Sequence, residues 1–146
     1  LAATSATGTV TFRGRDLAHL DEDANLPIRP DFVWLEEGRP RIVADAKYKA
    51  EKPSGFPQAD LYQLLAYCTV LGLPVGHLVY AKGFEDAREH VVRNVGVRIV
   101  AHTLDLSAEP QEMLASVTEL AGRMLVAATP LTSMGAGEVT WDLSRL

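Results

Sequence analysis

The sequence predicts an α/β domain in which a mixed central β-sheet is flanked by helices. Two runs rich in β-branched and aromatic residues, at 32–35 and 41–49, flank a Gly-Arg-Pro turn signal at residues 38–40. Apolar residues at helical spacing follow over residues 57–71, and strand-like and helical patterns alternate from there to about residue 128. Alternating patterns of this kind are typical of α/β domains.

The N-terminal part of the chain predicts an edge strand and then the first strand of a hairpin. Residues 10–13 suit a short edge strand, and residues 26–35 lead into the hairpin. Pro30 fixes the backbone and cannot donate to a sheet ladder, so we expect the strand to begin next to Asp31.

The second run of the hairpin predicts one polar and one apolar face, because side chains alternate along a strand. Asp45 and Lys47 fall on the same face, and pairing about the turn brings Asp31 beside both of them. The polar face contains Arg41, Val43, Asp45, Lys47 and Lys49, and the apolar face contains Ile42, Ala44, Ala46 and Tyr48.

This group of side chains has the chemistry of a metal site. Two neighbouring carboxylates such as Asp31 and Asp45 repel each other unless a cation lies between them. Hard oxygen ligands favour Mg²⁺ or Mn²⁺, which keep several waters and often bind substrate phosphates. Lys47 can orient a water or offset charge on a phosphate oxygen. The pattern therefore predicts metal-assisted hydrolysis of a phosphodiester.

Residues 57–71 predict an amphipathic helix, with Pro57 in the first turn and Gly72 after the end. Its sheet-facing stripe is expected to contain Leu61, Leu64, Leu65, Cys68 and Leu71. Gln63 and Tyr67 lie with Asp60 on an adjoining face. From the residues alone, Gln63 can equally cap a buried backbone group, and Tyr67 can be an ordinary half-buried aromatic residue.

The C-terminal part predicts further strands and one helix. Residues 76–82 predict a strand, residues 90–101 a single half-exposed strand, and a helix is expected to start between Ser107 and Pro110. Its apolar stripe is predicted to contain Met113 or Leu114, Val117, Leu120, Ala121, Met124 and Leu125. The four histidines share no ligand spacing, which predicts structural or exposed positions.

Composition limits the other possibilities. One cysteine excludes a disulfide framework and a cysteine-ligated metal cluster within this chain. No apolar run has membrane-spanning length and no signal peptide opens the sequence, so we expect a cytoplasmic location. The net charge of -5 does not favour nucleic-acid binding overall. A local basic face is nevertheless expected from Arg29, Arg41, Lys47, Lys49 and Lys52.

The ordered motifs resemble a known nuclease superfamily. Pro30-Asp31 followed by Asp45-x-Lys47 resembles the signature of the PD-(D/E)xK nucleases, and Gln63-x-x-x-Tyr67 resembles the mark of their RecB-like branch. The runs at 45–49 and 60–67 are similar to those of the McrC family, the nuclease subunits of 5-methylcytosine-specific restriction systems. The resemblance covers about residues 26–82.

We expect a restriction-endonuclease-like core at residues 26–128, an N-terminal extension at 1–25 that is part of a longer chain, and a C-terminal tail at 129–146. The resemblance also implies a metal ion and site residues. Mg²⁺, with Mn²⁺ as a substitute, is expected on Asp31, Asp45 and the backbone carbonyl of Ala46. Lys47 is expected to orient or activate the attacking water. The residues expected to contact phosphate or DNA, or to support the site, are Lys49, Gln63 and Tyr67.

The same resemblance implies double-stranded DNA as substrate, a McrB-like AAA+ GTPase as partner subunit, and an oligomeric assembly. Two alternatives are a RecB-like repair or recombination nuclease, and a non-catalytic module that retains the fold to bind DNA or a partner. Many members carry an additional acidic residue on a helix before the first catalytic strand. Glu22 is the nearest upstream glutamate. We expect that helix to precede Leu1.

Overall fold

A computed structural model of the chain describes residues 9–12, 18–47, 58–81 and 88–128. It confirms the α/β class, with a six-stranded mixed sheet and one described helix on each face. In chain order the elements are β1 (Thr9–Phe12), β2 (Ala18–His19), β3 (Pro27–Ile28), β4 (Phe32–Glu36), β5 (Arg39–Lys47), α1 (Gln58–Leu71), β6 (Val75–Tyr80), β7 (Arg88–Val91), β8 (Arg98–Thr103) and α2 (Pro110–Ala128).

The main sheet has the order β1-β4-β5-β6-β8-β7. The three central strands β5, β6 and β8 are parallel, and the outer pairings are antiparallel. Parallel neighbours need a long connection, and α1 lies in the connection from β5 to β6. The edge strand β1 pairs with β4, so residues on both sides of the predicted boundary at residue 25 share one sheet.

The β4–β5 hairpin turns at Glu37 and Gly38, one residue earlier than the sequence indicated. Both residues have positive φ, 51° and 75°, as in the tight turns that match strand twist. Arg39 already pairs with Glu36, so the prediction that residues 38–40 form the turn is wrong for Arg39 and Pro40. The register then shifts, and Arg41 is the extra residue of a bulge.

Both faces of the central strand β5 are buried. Val43 packs with the cluster beneath α1, whereas Ile42 and Ala44 pack with the cluster beneath α2. This burial on two faces is typical of parallel strands covered by helices. The core on the α1 side is the larger of the two and extends to Leu64, Cys68, Leu71, Leu78, Tyr80 and Ile99, among others.

Helix α1 begins one residue later than predicted and ends at the predicted residue. It packs closely against β6. It ends with Gly72 at a φ of 66°, where the Leu73 amide donates to the Cys68 carbonyl at 2.9 Å. A Cβ atom at Gly76 of β6 would lie 2.5 Å from Cys68 Sγ and 2.9 Å from Leu64 Cγ. Gly76 therefore lets the helix approach the sheet at this point.

Residues 90–101 form a hairpin, and the prediction of one continuous strand is wrong. Strand β7 ends at Val91, and β8 begins at Arg98 and runs antiparallel to it. Asn94 and Gly96 both have a φ of 70°, a conformation that Asn and Gly tolerate better than other residues. The β-branched residues on either side favoured a strand, so the turn was not predicted.

Helix α2 buries a narrower stripe than its pattern predicts. Only Leu120 and Met124 are buried among its described residues. Val117, which was expected to cover the sheet, is 43% exposed. Of the alternatives Met113 and Leu114, Met113 is partly buried and Leu114 is 67% exposed. The described helices include none with the length and hydropathy needed to span a membrane.

Two buried histidines join β6 and β8 on the α2 side of the sheet. His77 Nδ1 lies 2.9 Å from His102 Nε2, and the two residues are 2% and 3% exposed. Burial lowers the pKa of each to about 4, helped by His102 and Arg98 in the case of His77 and by Arg123 in the case of His102. Both histidines are therefore neutral at pH 7.

Candidate active site

The carboxylates of Asp31 and Asp45 meet at the open end of the β4–β5 hairpin. Asp31 directly precedes β4, and Asp45 is the third residue from the end of β5. The Asp31 amide donates to Asp45 Oδ1 at 3.4 Å, and the Ala46 amide donates to Asp31 Oδ2 at 3.0 Å. Each carboxylate thus accepts a backbone hydrogen bond from the other strand, and the hairpin register fixes both in place.

Lys47 is surrounded by three acceptors. Its Nζ lies 2.5 Å from Asp45 Oδ2, 2.8 Å from Gln63 Oε1 and 3.3 Å from Asp60 Oδ1. An ammonium group has three N–H donors, so each donor has an acceptor within reach. One acceptor belongs to β5 and two belong to α1, which ties the strand to the helix at the site.

The electrostatics of the site oppose ionisation of Asp45 and favour protonation of Lys47. Burial raises the pKa of Asp45, and the negative charge of Asp31 adds to this, while Lys47 acts in the opposite direction. Burial by itself lowers the pKa of Lys47, but the hydrogen bond and charge of Asp45, with Asp60, raise it above its ordinary value. Lys47 is therefore a cation at neutral pH.

The other predicted site residues differ in what the structure shows of them. Gln63 reaches the site from α1 through its bond to Lys47. Tyr67, one turn further along, is only 6% exposed and belongs to the hydrophobic core on the α1 side. Lys49 lies outside the described residues, and the role of the Ala46 carbonyl stays a prediction.

Asp60 lies at the site although it was not among the predicted site residues. It was placed on the same helix face as Gln63, three residues away, but no role was given to it. The 3.3 Å distance to Lys47 Nζ brings a third carboxylate to the site. The signal that could have identified it was this spacing, since residues three apart on a helix are neighbours.

Arg41 does not join the expected basic face. Its Nη2 donates to the carbonyl of Ala128 at the end of α2, at 3.2 Å, and its Nε lies 3.2 Å from Glu36 Oε2. The bulge at Arg41 explains the difference, because an extra residue in a strand changes the direction of its side chain. The prediction for Arg41 is therefore wrong, while Lys49 and Lys52 lie outside the described residues.

The donor set fits a hard divalent cation that retains water. Among the described residues there is no group of three or more His, Cys, Asp or Glu placed to hold a metal ion. Mg²⁺ in proteins is often bound by one or two carboxylates, together with waters and substrate phosphates. Asp31 and Asp45 supply such a pair, and their mutual repulsion is the kind that a cation removes.

A mixed sheet with a helix on each face is consistent with a restriction-endonuclease-like fold, and a carboxylate pair and a lysine lie at the open end of its β4–β5 hairpin. Residues 2–81, more than half of the chain, match the family described as "McrBC 5-methylcytosine restriction system component". The chain belongs to this family, as its motifs indicated.

One solved structure extends the comparison of folds. It is described as a refined half-complex from a tetradecameric assembly of Thermococcus gammatolerans McrB AAA+ hexamers with bound McrC. A chain of that assembly matches with a TM-score of 0.56 and 18% identity over 77% of this chain. The match spans only 28% of the other chain. No curated protein matches this sequence.

Proposed function

We propose that this domain is a Mg²⁺-dependent DNA endonuclease, the McrC-like cleavage component of a modification-dependent restriction system. The observation that carries the proposal is the arrangement of Asp31, Asp45 and Lys47 on adjacent strands. The family match gives this arrangement a biological setting, because the family is described as a component of a 5-methylcytosine restriction system.

In this proposal Asp31 and Asp45 hold the cation, and the carbonyl of Ala46 is a further ligand. A bound Mg²⁺ supplies a Lewis acid for the phosphate and lowers the pKa of a bound water. Lys47 acts as a positive hydrogen-bond donor, because its pKa is raised by Asp45 and Asp60 despite its partial burial. Its position next to Asp45 suits it to orient the attacking water or to offset charge on a phosphate oxygen.

The proposed reaction is hydrolysis of a DNA phosphodiester. The water oxygen bonds to phosphorus as the bond to the leaving 3′ oxygen breaks, and the departing oxygen takes up a proton. Gln63 supports Lys47 in this scheme, and Lys49 steadies a phosphate. Tyr67 supports the site indirectly, since it packs in the core beneath the helix that carries Gln63.

We further propose that an AAA+ GTPase of the McrB kind is the partner subunit and reads the modified base. The Thermococcus gammatolerans assembly contains McrB AAA+ hexamers with bound McrC, which supports an equivalent arrangement here. Recognition by the partner agrees with the net charge of -5, which gives this chain little affinity of its own for DNA.

The test is cleavage of methylated and unmethylated plasmid by the full-length protein with its AAA+ partner, GTP and Mg²⁺. We expect cleavage of the methylated plasmid alone, and loss of cleavage in Asp31→Asn. Asp23→Asn, a change in the exposed acidic turn, is the matched control and should cleave normally. Equal cleavage of both plasmids without partner or GTP would instead favour a RecB-like repair nuclease, the alternative that the Gln63 and Tyr67 spacing supports.

A further inference from the structure

The ammonium of Lys47 contacts acceptors on both β5 and α1, and only the acceptor on β5 belongs to the proposed metal site. Asp45 belongs to the carboxylate pair proposed to hold the cation. Asp60 and Gln63 belong to α1 and are not part of that pair. Any charge that Asp45 shares with a metal ion weakens its hold on Lys47. The acceptors on α1 are then the groups that keep the lysine in place.

Asp60 can hold Lys47 in place because α1 fixes its position. It lies in the first turn of α1, where the helix dipole stabilises a negative charge. The helix is anchored one turn further on by Leu64, which is fully buried against the sheet. The Asp60 side chain is 21% exposed, so its charge is only partly screened by water. Gln63 contributes a neutral acceptor beside it.

We infer that Asp60 is a positioning residue, which holds the Lys47 ammonium beside Asp45 while the phosphodiester is cleaved. The inference rests on the proposed function. Asp60 acts through Lys47 and not as a metal ligand, because the described residues contain no group of three carboxylates placed to hold a cation.

Two substitutions separate the charge of Asp60 from its hydrogen bond. Asp60→Asn keeps an oxygen acceptor and loses the charge, and Asp60→Ala loses both. Because a misplacement of about 1 Å near the reacting atoms can cost about a hundredfold in rate, we expect single-turnover cleavage to fall roughly tenfold in Asp60→Asn and roughly a hundredfold in Asp60→Ala. The dissociation constant for Mn²⁺, measured by calorimetry, should stay within about twofold of the parent value, because the ligands are untouched.

A second readout does not depend on activity. Lys47 should react several-fold faster with an acylating reagent in Asp60→Ala than in the parent chain, as quantified by peptide mass spectrometry without metal. Glu112→Gln is the matched control, since Glu112 is the acidic residue in the first turn of α2. This control should leave cleavage, Mn²⁺ affinity and Lys47 labelling unchanged.

The outcomes separate this inference from the proposed function. A parent protein that does not cleave in the presence of its partner, GTP and Mg²⁺ overturns the proposed function and the inference with it. A parent that cleaves, with both Asp60 variants cleaving at the same rate, overturns only the inference. Weakened Mn²⁺ binding in Asp60→Asn would also overturn it, by making Asp60 a metal ligand. The inference would also be overturned if Asp60→Ala lowered the melting temperature and exposed Lys47 to acylation but cleaved at the parent rate.

Discussion

Asp45 occupies a position where its own ionisation is disfavoured. It is 4% exposed, and its pKa is raised by burial and by the neighbouring Asp31. Lys47 offsets part of this cost through a direct contact with Asp45 Oδ2. At the scale of single residues, the site is thus an arrangement of charges that the fold holds together and that a cation would stabilise further.

Without metal, substitution of Lys47 should lower the free energy of unfolding more than substitution of Asp45. Lys47→Met leaves Asp45 without its nearest positive charge, and we expect the free energy of unfolding to fall by roughly 2 kcal/mol, below the value for a fully buried pair because Lys47 is 19% exposed. Asp45→Asn removes the repulsion from Asp31, and the change should stay below about 1 kcal/mol. Urea unfolding at pH 8 measures both. A larger loss in Asp45→Asn would contradict the account of Asp45.

The buried histidine pair predicts a loss of stability in mild acid. Both folded pKa values are about 4, against an ordinary value of 6.5. Between these two pH values the unfolded chain binds more protons than the folded chain, so the free energy of unfolding falls as pH falls through this window. The loss is at most about 3 kcal/mol for each histidine.

The histidine prediction can be isolated by substitution. His102→Leu should make the dependence of unfolding free energy on pH shallower between pH 6.5 and pH 4, as followed by urea unfolding at several pH values. His90→Gln, at an exposed position in β7, is the control and should keep the parent slope. An unchanged slope in His102→Leu would contradict a lowered pKa of His102 in the folded protein.

At the scale of elements, the site could be predicted because it depends on a strand period and one hairpin. Alternation in β5 places Asp45 and Lys47 on one side. The turn lies one residue earlier than predicted, but the bulge at Arg41 shifts the register, so that Asp31 still lies beside Asp45. The contact between Asp60 and Lys47 was missed, because helical spacing places Asp60 beside Gln63 but its distance to Lys47 depends on how α1 lies over β5. The hairpin of β7 and β8 was missed because Asn94 and Gly96 are embedded in β-branched sequence.

Alanine should have opposite effects at Gly76, where α1 packs on β6, and at Gly122, which lies on α2. Gly76→Ala places a methyl group against Cys68 and Leu64, and we expect a loss of about 1–3 kcal/mol in unfolding free energy. Gly122→Ala, on α2, meets no atom within 4 Å and should gain about 0.5–1 kcal/mol from helix propensity. Thermal unfolding of the two variants checks both signs. A neutral Gly76→Ala would mean that α1 can move away from the sheet without cost.

At the scale of the whole molecule, the hairpin holds the two carboxylates beside each other through backbone hydrogen bonds. A ligand that binds only the folded state stabilises it, by about 2.7 kcal/mol at a hundred times its dissociation constant. For a chain of this size we expect Mn²⁺ to raise the melting temperature by roughly 5–10 °C. Asp31→Asn and Asp45→Asn should lose this rise, while Asp23→Asn keeps it. A parent without the rise would favour the non-catalytic module.

The most direct test of the central claim is plasmid nicking with Mn²⁺, which compares the parent protein with Asp45→Ala, alone and with the AAA+ partner and GTP. The account predicts that the parent nicks the plasmid, that the partner and GTP increase the rate, and that Asp45→Ala is inactive under both conditions. Equal nicking by parent and variant would show that Asp45 takes no part in the reaction. No nicking by a folded, full-length parent under either condition would contradict the assignment of a nuclease site to Asp31, Asp45 and Lys47.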